Sequence, residues 1–324
     1  MGAVTLLPSA RRDNGWFETL PEVPPAAPLI GAQEADVVVV GAGFTGLAAA
    51  RRLGERRPGA RILLLEAGRI GNGAAGRSSG FGIDHAHNVR SEGFAGAEEF
   101  EKQQIALNRS GLAYLEDAVA THGIDCDWSW AGKTHAACTD RGVADLEHFA
   151  GTLDRIDEPY EVLDADAMAE RLGIGYYRRG LHTPGTALMQ PAAACRGLAD
   201  HMPPNVVVHE ETPVTWMDAG PPHELWTDGG NVRTPEVLLA NNGYLAGFGY
   251  YRRHLIPVVT WGSMTRPLTA DEMAGIGGPR TWGVIPAAPS GTTVRRLADD
   301  RILVRNVYSY SRHSLAGGRR LQRA

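Results

Sequence analysis

The stretch that most constrains the chain is Asp36-Val37-Val38-Val39-Val40-Gly41-Ala42-Gly43-Phe44-Thr45-Gly46. Its first part is a short, β-branched, wholly apolar run. That pattern suits a strand buried on both faces of a parallel sheet. Its second part is a G-x-G-x-x-G turn. The spacing predicts a helix next, over about Thr45 to Arg57, with Leu47, Ala50 and Leu53 on one face and Pro58-Gly59 as its stop. A second buried strand is expected over Arg61 to Glu66. The three pieces make one compact βαβ unit.

Each part of this unit has a physical task. Gly41 permits a tight turn, Gly43 has no Cβ and lets the backbone approach a pyrophosphate, and Gly46 lets the helix pack close to the strand. Phe44 and Thr45 open the helix, whose free N–H groups and positive dipole end favour phosphates. Glu66 lies 66 − 46 = 20 residues past the last glycine, where an acid accepts hydrogen bonds from ribose hydroxyls. Its charge disfavours a 2′-phosphate, so an NADP-type ligand is not expected. FAD and NAD both use such a unit, and the motif alone does not choose between them.

Composition bounds the rest. The 324 residues carry 32 basic and 37 acidic side chains, a net charge of −5, which excludes a basic nucleic-acid-coating protein. With 43% hydrophobic and 21% charged residues, the chain has the balance of a globular protein rather than a disordered or coiled-coil one. Its length suggests about two domains or one two-lobed unit at roughly 150 residues each. No apolar run reaches the roughly 18 to 20 residues of a membrane helix, since Val37 to Ala50 is broken by Gly41, Gly43, Thr45 and Gly46. The first residues, with Pro8, Pro21, Pro24, Pro25, Pro28, Arg11, Arg12 and Asp13, do not read as a secretory signal. Residues 1–35 are read as an extended arm, folded sequence is expected from about Asp36, and the expected location is cytoplasmic. Cys126, Cys138 and Cys195 form no metal or disulfide pattern and are read as reduced thiols.

Further along, the spacing predicts a long helix from about Glu98 to His122 and strands over 126–140 around Gly132-Lys133. Short helices are expected near 141–155 and 164–172, and a longer one from Pro191 to Met202 with Pro in its first turn. Strand candidates are 206–208, 214–218, 224–227, 237–240, 257–266, 281–285 and 302–308, with a hairpin at Asp228-Gly229-Gly230-Asn231. The expected fold class is α/β plus α+β. A Rossmann-like nucleotide-binding lobe (36–90 and 190–250) interleaves with a mixed-sheet substrate lobe (91–189 and 251–315), followed by a tail over 316–324.

The loop after Glu66 adds a resemblance. It runs Ala67-Gly68-Arg69-Ile70-Gly71-Asn72-Gly73-Ala74-Ala75-Gly76-Arg77-Ser78-Ser79-Gly80. The chain resembles the D-amino-acid-oxidase-like FAD-dependent oxidoreductases, and within them the relatives of glycine oxidase and gamma-glutamylputrescine oxidoreductase. Those carry a G-A-S-G-R-N-G-G-type loop where this chain has residues 73–80, and a Trp-Tyr arm where it has Trp16-Phe17. Ser78-Ser79 departs from the usual Asn-Gly. The resemblance covers about residues 14 to 310 and is densest over 30–90 and 185–245.

The resemblance implies non-covalent FAD, held by Gly41, Gly43, Phe44, Thr45, Gly46, Glu66, Ala67, Gly73, Ala74, Arg77, Ser78 and Ser79. It places Met189-Gln190-Pro191 before a helix and Val214 at the adenine edge through its main chain. It makes Leu239-Ala240-Asn241-Asn242-Gly243-Tyr244 a second approach to the cofactor, through Asn241 and Gly243. The implied partner is a small amine or amino acid, with no nucleic acid.

Flavin amine oxidation asks little of protein side chains beyond positioning and excluding water. Candidate catalytic residues are His85 and His87, which follow the flavin loop and could face the ring, and Arg253 and Arg266, which could clamp a carboxylate. His254, Tyr251 and Trp261 are candidate neighbours, and a packing or surface role competes for each. No metal site is expected, Asp84-His85-Ala86-His87 being an isolated pair of histidines.

Family members run roughly a hundred residues longer, on a domain scale of about 100–200 residues. Their last segment returns a strand and helix to the nucleotide lobe. The chain is therefore expected to be a truncated member. The competing readings are a non-catalytic remnant and an NAD-dependent dehydrogenase built on the same βαβ unit.

Overall fold

The computed structural model describes residues 2–8, 14–85, 89, 97–288 and 291–310. In chain order its elements begin with α1 (Gly15–Glu18), β1 (Gly31–Glu34), β2 (Val37–Val40), α2 (Phe44–Arg56), β3 (Ile62–Leu65) and β4 (Phe81–Gly82). Next come α3 (Ala97–His122), β5 (Lys133–Ala137), α4 (Asp140–Ile156), β6 (Glu161–Leu163), α5 (Ala165–Leu172), β7 (Arg179–Thr183) and β8 (Ala187–Leu188). They are followed by α6 (Pro191–Asp200), β9 (Val206–His209), β10 (Val214–Asp218), β11 (His223–Thr227), β12 (Gly230–Thr234) and β13 (Glu236–Leu239). The last are β14 (Val258–Met264), α7 (Ala270–Ala274), β15 (Trp282–Pro286), β16 (Thr293–Arg296) and β17 (Ile302–Tyr310).

A four-stranded, all-parallel sheet, ordered β13-β2-β3-β9, sits at the centre of one lobe. Both β2 and β3 are buried at every position, which is why they read as unbroken apolar runs. Their side chains divide by alternation. Val37, Val39, Ile62 and Leu64 pack with Leu47 and Ala50 of α2 and Ala194, Cys195 and Leu198 of α6. Val38, Val40, Leu63 and Leu65 pack on the opposite face with Val214, Met217, Leu225 and Val232. Those last four belong to a second four-stranded sheet, ordered β1-β12-β11-β10.

The other lobe is a seven-stranded mixed sheet, ordered β14-β17-β16-β15-β5-β7-β6, with β15 and β5 parallel. Leu146, Phe149, Leu153 and Ile156 of α4 cover Ala137 and Leu181 of that sheet. Met168 and Leu172 of α5 pack with Trp282 and Val284. The short pair β4·β8 follows the loop after β3, so the chain passes from the parallel sheet to the second lobe through this loop.

Two expectations change. Folded sequence begins well before Asp36: Trp16 and Leu29 are buried, and β1 pairs in parallel with β12. The prolines of this segment prevent a long helix, but buried Trp16 and Leu29, with Phe17 and Leu20 packed beside Trp16, anchor it. The strands expected over 126–140 shrink to β5, with an isolated bridge between Ser129 and Leu188 upstream of it. Left-handed backbone at Asp127 (φ 51°) and Gly132 (φ 67°) interrupts the ladder there. The hairpin at 228–231 forms, Trp226 pairing with Asn231 across it. His87 and the tail over 316–324 lie outside the described residues.

Candidate functional site

The glycine turn after β2 contains three glycines with different reasons to be there. Gly41 has φ 100°, and a Cβ on it would stand 2.9 Å from the Ala240 carbonyl oxygen. A Cβ on Gly46 would stand 1.8 Å from the Gly41 oxygen. The chain's own packing therefore requires both. Gly43 differs, since a Cβ there would meet only the Ala75 Cβ, at an ordinary 3.5 Å. Gly43 is also the N-cap of α2, with no side-chain cap and no acid in the first turn. Among the described residues, the first N–H groups of α2, from Phe44 and Thr45 onward, thus lack a side-chain cap, beside a glycine where a Cβ would make only an ordinary contact.

Glu66 closes the other side of the turn. Its Oε2 accepts from the Ala42 N–H at 2.8 Å and its Oε1 from the Gly68 N–H at 3.1 Å. Burial pushes its pKa up, aided by the charge of Glu210 and opposed by the N–H donors of Ala42, Gly68 and Ala67. Each carboxylate oxygen keeps a second lone pair for a hydroxyl. The segment before β10 lies against this turn, with the Glu211 N–H on Gly68 O at 3.0 Å and the Thr212 N–H on Glu66 O at 2.8 Å. Val214, the first residue of β10, is thereby brought near Glu66 and Ala67.

The loop over residues 68–80 turns several carbonyls outward. Asn14 Nδ2 donates to Gly71 O (3.0 Å) and Gly76 O (3.3 Å), and Trp16 Nε1 donates to Ser78 O (2.8 Å). Arg295 Nη1 donates to Ser79 O at 2.9 Å and Gly80 O at 3.0 Å. Among the described residues, chain neighbours aside, no atom lies within 4 Å of a Cβ built on Gly68 or Gly73, and Ala74 caps a 3₁₀ turn over Ala75–Arg77. Arg77 is exposed and donates within the loop to Asn72 O (2.8 Å) and Oδ1 (3.0 Å). Ser78 Oγ accepts from the Gly80 N–H at 3.3 Å. Asn241, beside Gly41 just after β13, has both amide atoms buried without a hydrogen-bond partner among the described residues, and Gly243 follows in a 3₁₀ turn.

Of the expected catalytic residues, His87 lies outside the described residues, and His85, Arg253 and Arg266 lie on different segments with their own surroundings. His85 is 2% exposed, and its Nδ1 faces Asp84 Oδ1 at 2.9 Å while its Nε2 faces Glu158 Oε2 at 3.1 Å. Both ring nitrogens thus stand against carboxylates. Arg253 sits on an exposed turn after left-handed Tyr251 and beside exposed His254. Arg266 is also exposed, with its guanidinium held by Glu272 in two hydrogen bonds of 2.9 Å, so it is not a free carboxylate clamp. Trp261 lies in β14, the edge strand of the seven-stranded sheet.

Sequence reasoning missed the charged cluster around Asp84. Arg109 Nη2 reaches Asp84 Oδ2 at 3.1 Å and Glu158 Oε2 at 2.6 Å, and Lys133 Nζ is 3.9 Å from Asp84 Oδ1. Burial alone would raise the Asp84 pKa, but the hydrogen bond and charge of His85, then Lys133 and Arg109, hold it below the usual range. Burial pulls Lys133 down to about 8. It also pushes Cys126 up to about 11 and Cys195 up to about 12, so both stay thiols at neutral pH. Nothing in the sequence spacing links Asp84, Arg109, Lys133 and Glu158. The signal is tertiary.

A sequence profile of the family described as DAO, FAD dependent oxidoreductase, matches residues 36–320. The chain belongs to this family. Among its relatives are the probable oxidoreductase OrdL of Haemophilus influenzae, 27% identical over 75% of this chain and 58% of that protein, and the gamma-glutamylputrescine oxidoreductase of Escherichia coli, 29% identical over 65% of this chain and 49% of that one. The chain thus spans about half the length of the curated relatives it matches. The fold is shared with glycine oxidase from Geobacillus kaustophilus, with TM-score 0.68 and 20% identity over 86% of this chain and 72% of that one. It is also shared with the amino acid oxidase NikD, with TM-score 0.64 and 18% identity over 86% and 71% of the two chains. The DAO family fold is the mixed α/β architecture expected from the sequence. Among the described residues no helix is long and apolar enough to cross a membrane.

Proposed function

We propose that the chain binds FAD non-covalently along the glycine turn and the 68–80 loop, and that the protein oxidises the C–N bond of a small amine or amino acid to an imine. The observation that carries this reading is the space at Gly43. Gly41 and Gly46 are demanded by the chain's own packing, whereas a Cβ at Gly43 would make only an ordinary contact, so the uncapped start of α2 beside it is open to a phosphate. The orphaned amide of Asn241 beside the same turn supports it. So does membership of a family described as FAD dependent.

FAD, when bound, supplies the two-electron acceptor for the hydride that leaves the substrate carbon. The residues of this chain bind and orient. The N–H groups opening α2 would meet phosphate charge, Glu66 would accept from ribose hydroxyls, and residues of the 68–80 loop would hold the rest of the cofactor. The substrate nitrogen gives up its proton to water, and the imine product hydrolyses.

The test is to purify the chain and record its visible spectrum before and after heat denaturation, then to add amines and amino acids without oxygen. A flavin spectrum released as free FAD, bleached by at least one amine, is expected. Colourless protein that takes up no added FAD contradicts the reading and favours a remnant without a competent site.

A further inference from the structure

Arg295 of β16 is a deeply buried cation of the second lobe, 2% exposed. Among the described residues its hydrogen bonds all go to backbone carbonyls. Nη1 donates to Ser79 O at 2.9 Å, Gly80 O at 3.0 Å and Met189 O at 2.6 Å. The guanidinium carbon lies 5.4 Å from the Trp16 ring and 6.0 Å from the Phe81 ring, and the charge of Asp127 also favours the cation. Its Nε is buried without a partner. Burial pulls its pKa to about 10, which leaves it cationic at neutral pH.

Its acceptors have one thing in common. Ser79 and Gly80 end the loop that leaves the parallel sheet, and Met189 precedes α6, which packs on that sheet. Arg295 itself lies in the seven-stranded sheet. The side chain is therefore a rivet between the lobes at the end of the loop. Trp16 works on the same side, stacking on the guanidinium and donating to Ser78 O at 2.8 Å. Gly80 has φ 73°, and a Cβ there would stand 2.1 Å from Arg295 Nη1, so the contact admits no side chain. A carbonyl held outward fixes the direction of the peptide plane, and the N–H of the same plane then points the other way.

We propose that Arg295, backed by Trp16, is a positioning residue: it fastens the outward carbonyl edge of the 68–80 loop to the seven-stranded sheet and so holds the loop's other face in the form that takes FAD. The proposal rests on the FAD reading above. It needs no contact between Arg295 and substrate. Lysine keeps a positive charge and N–H donors for these carbonyls, whereas methionine fills the space and donates nothing.

The test uses wild type, Arg295→Met, Arg295→Lys and Trp16→Phe in two measurements. The first is the Kd for FAD, from quenching of flavin fluorescence. The second, run without cofactor, is the rate of trypsin cleavage after exposed Arg77. We expect Arg295→Met to weaken FAD binding at least tenfold and to speed cleavage at least threefold. Arg295→Lys should return both to within about threefold of wild type. Trp16→Phe keeps a ring under the guanidinium but loses the donor to Ser78; it should show a smaller shift in the same direction, and it serves where Arg295→Met does not fold. Wild-type values for Arg295→Met, or for Trp16→Phe in its place, overturn the proposal, as does Arg295→Lys behaving like Arg295→Met. A wild-type chain that takes NAD but not FAD would overturn the FAD reading instead. The cofactor-free cleavage still judges the rivet in that case.

Discussion

At the scale of single residues, the three glycines of the turn separate packing from ligand binding. Gly46→Ala would drive a Cβ to 1.8 Å from the Gly41 oxygen and should destabilise the fold by several kcal/mol, on the order of 1–3 for overpacking and more where backbone must move. Gly43→Ala adds a methyl at ordinary contact distance and should change stability by less than about 1 kcal/mol. It should nevertheless lower FAD affinity tenfold or more, about 1.4 kcal/mol. Urea unfolding and FAD titration of both variants check the pair, and equal FAD affinity in Gly43→Ala and wild type would contradict the account. Lys133 makes a second prediction. It is fully buried, donating to Thr183 Oγ1 at 3.0 Å and Thr186 Oγ1 at 3.4 Å, and its pKa falls from 10.5 to about 8. A folded pKa below the unfolded one means that the unfolded chain holds more protons across that interval. Stability should therefore rise with pH between about 8 and 10.5. Lys133→Met removes this rise, so the gap between the wild-type and variant urea midpoints should change across the window. Parallel profiles would show that the lysine titrates normally.

At the scale of elements, what was legible followed from burial on regular faces. β2 and β3 are covered on both sides and read as apolar runs, while α4 and α5 carry clear apolar stripes under amphipathic caps at Thr139 and Asp164. β16 reads Thr-Val-Arg-Arg and β7 Arg-Gly-Leu-His-Thr, and neither shows an apolar period. Their polar side chains are buried by partners far away in sequence, as Arg295 is by Trp16 and Gly80. The glycine turn and Glu66 were legible because their chemistry is local. The Asp84 cluster was not, because it joins the end of β4, α3, β5 and the loop after α4. That junction should be costly to break. Asp84→Ala leaves His85 and Lys133 buried beside an empty site, and it should destabilise the protein by about 3–5 kcal/mol in urea unfolding. A loss below about 1 kcal/mol would mean that the cluster is solvated and has no part in holding these elements together.

At the scale of the whole molecule, one lobe carries the nucleotide-type turn and the other a broad mixed sheet, joined through the 68–82 loop and the β4·β8 pair. The sequence anticipated this two-lobed arrangement from element order, since a βαβ opening followed by helices and then many strands admits few other architectures. It did not anticipate that residues 14–34 dock on both the loop and the second sheet, because the apolar residues of this proline-rich segment, Trp16, Phe17, Leu20 and Leu29 among them, follow no helix or strand period. The central claim is that this docked loop and turn form a cradle for FAD. The most direct measurement is a calorimetric titration of the cofactor-free chain with FAD and, separately, with NAD. The account predicts saturable binding of one FAD per chain and no measurable heat with NAD under the same conditions. Saturable NAD binding without FAD binding, or silence with both, would contradict it.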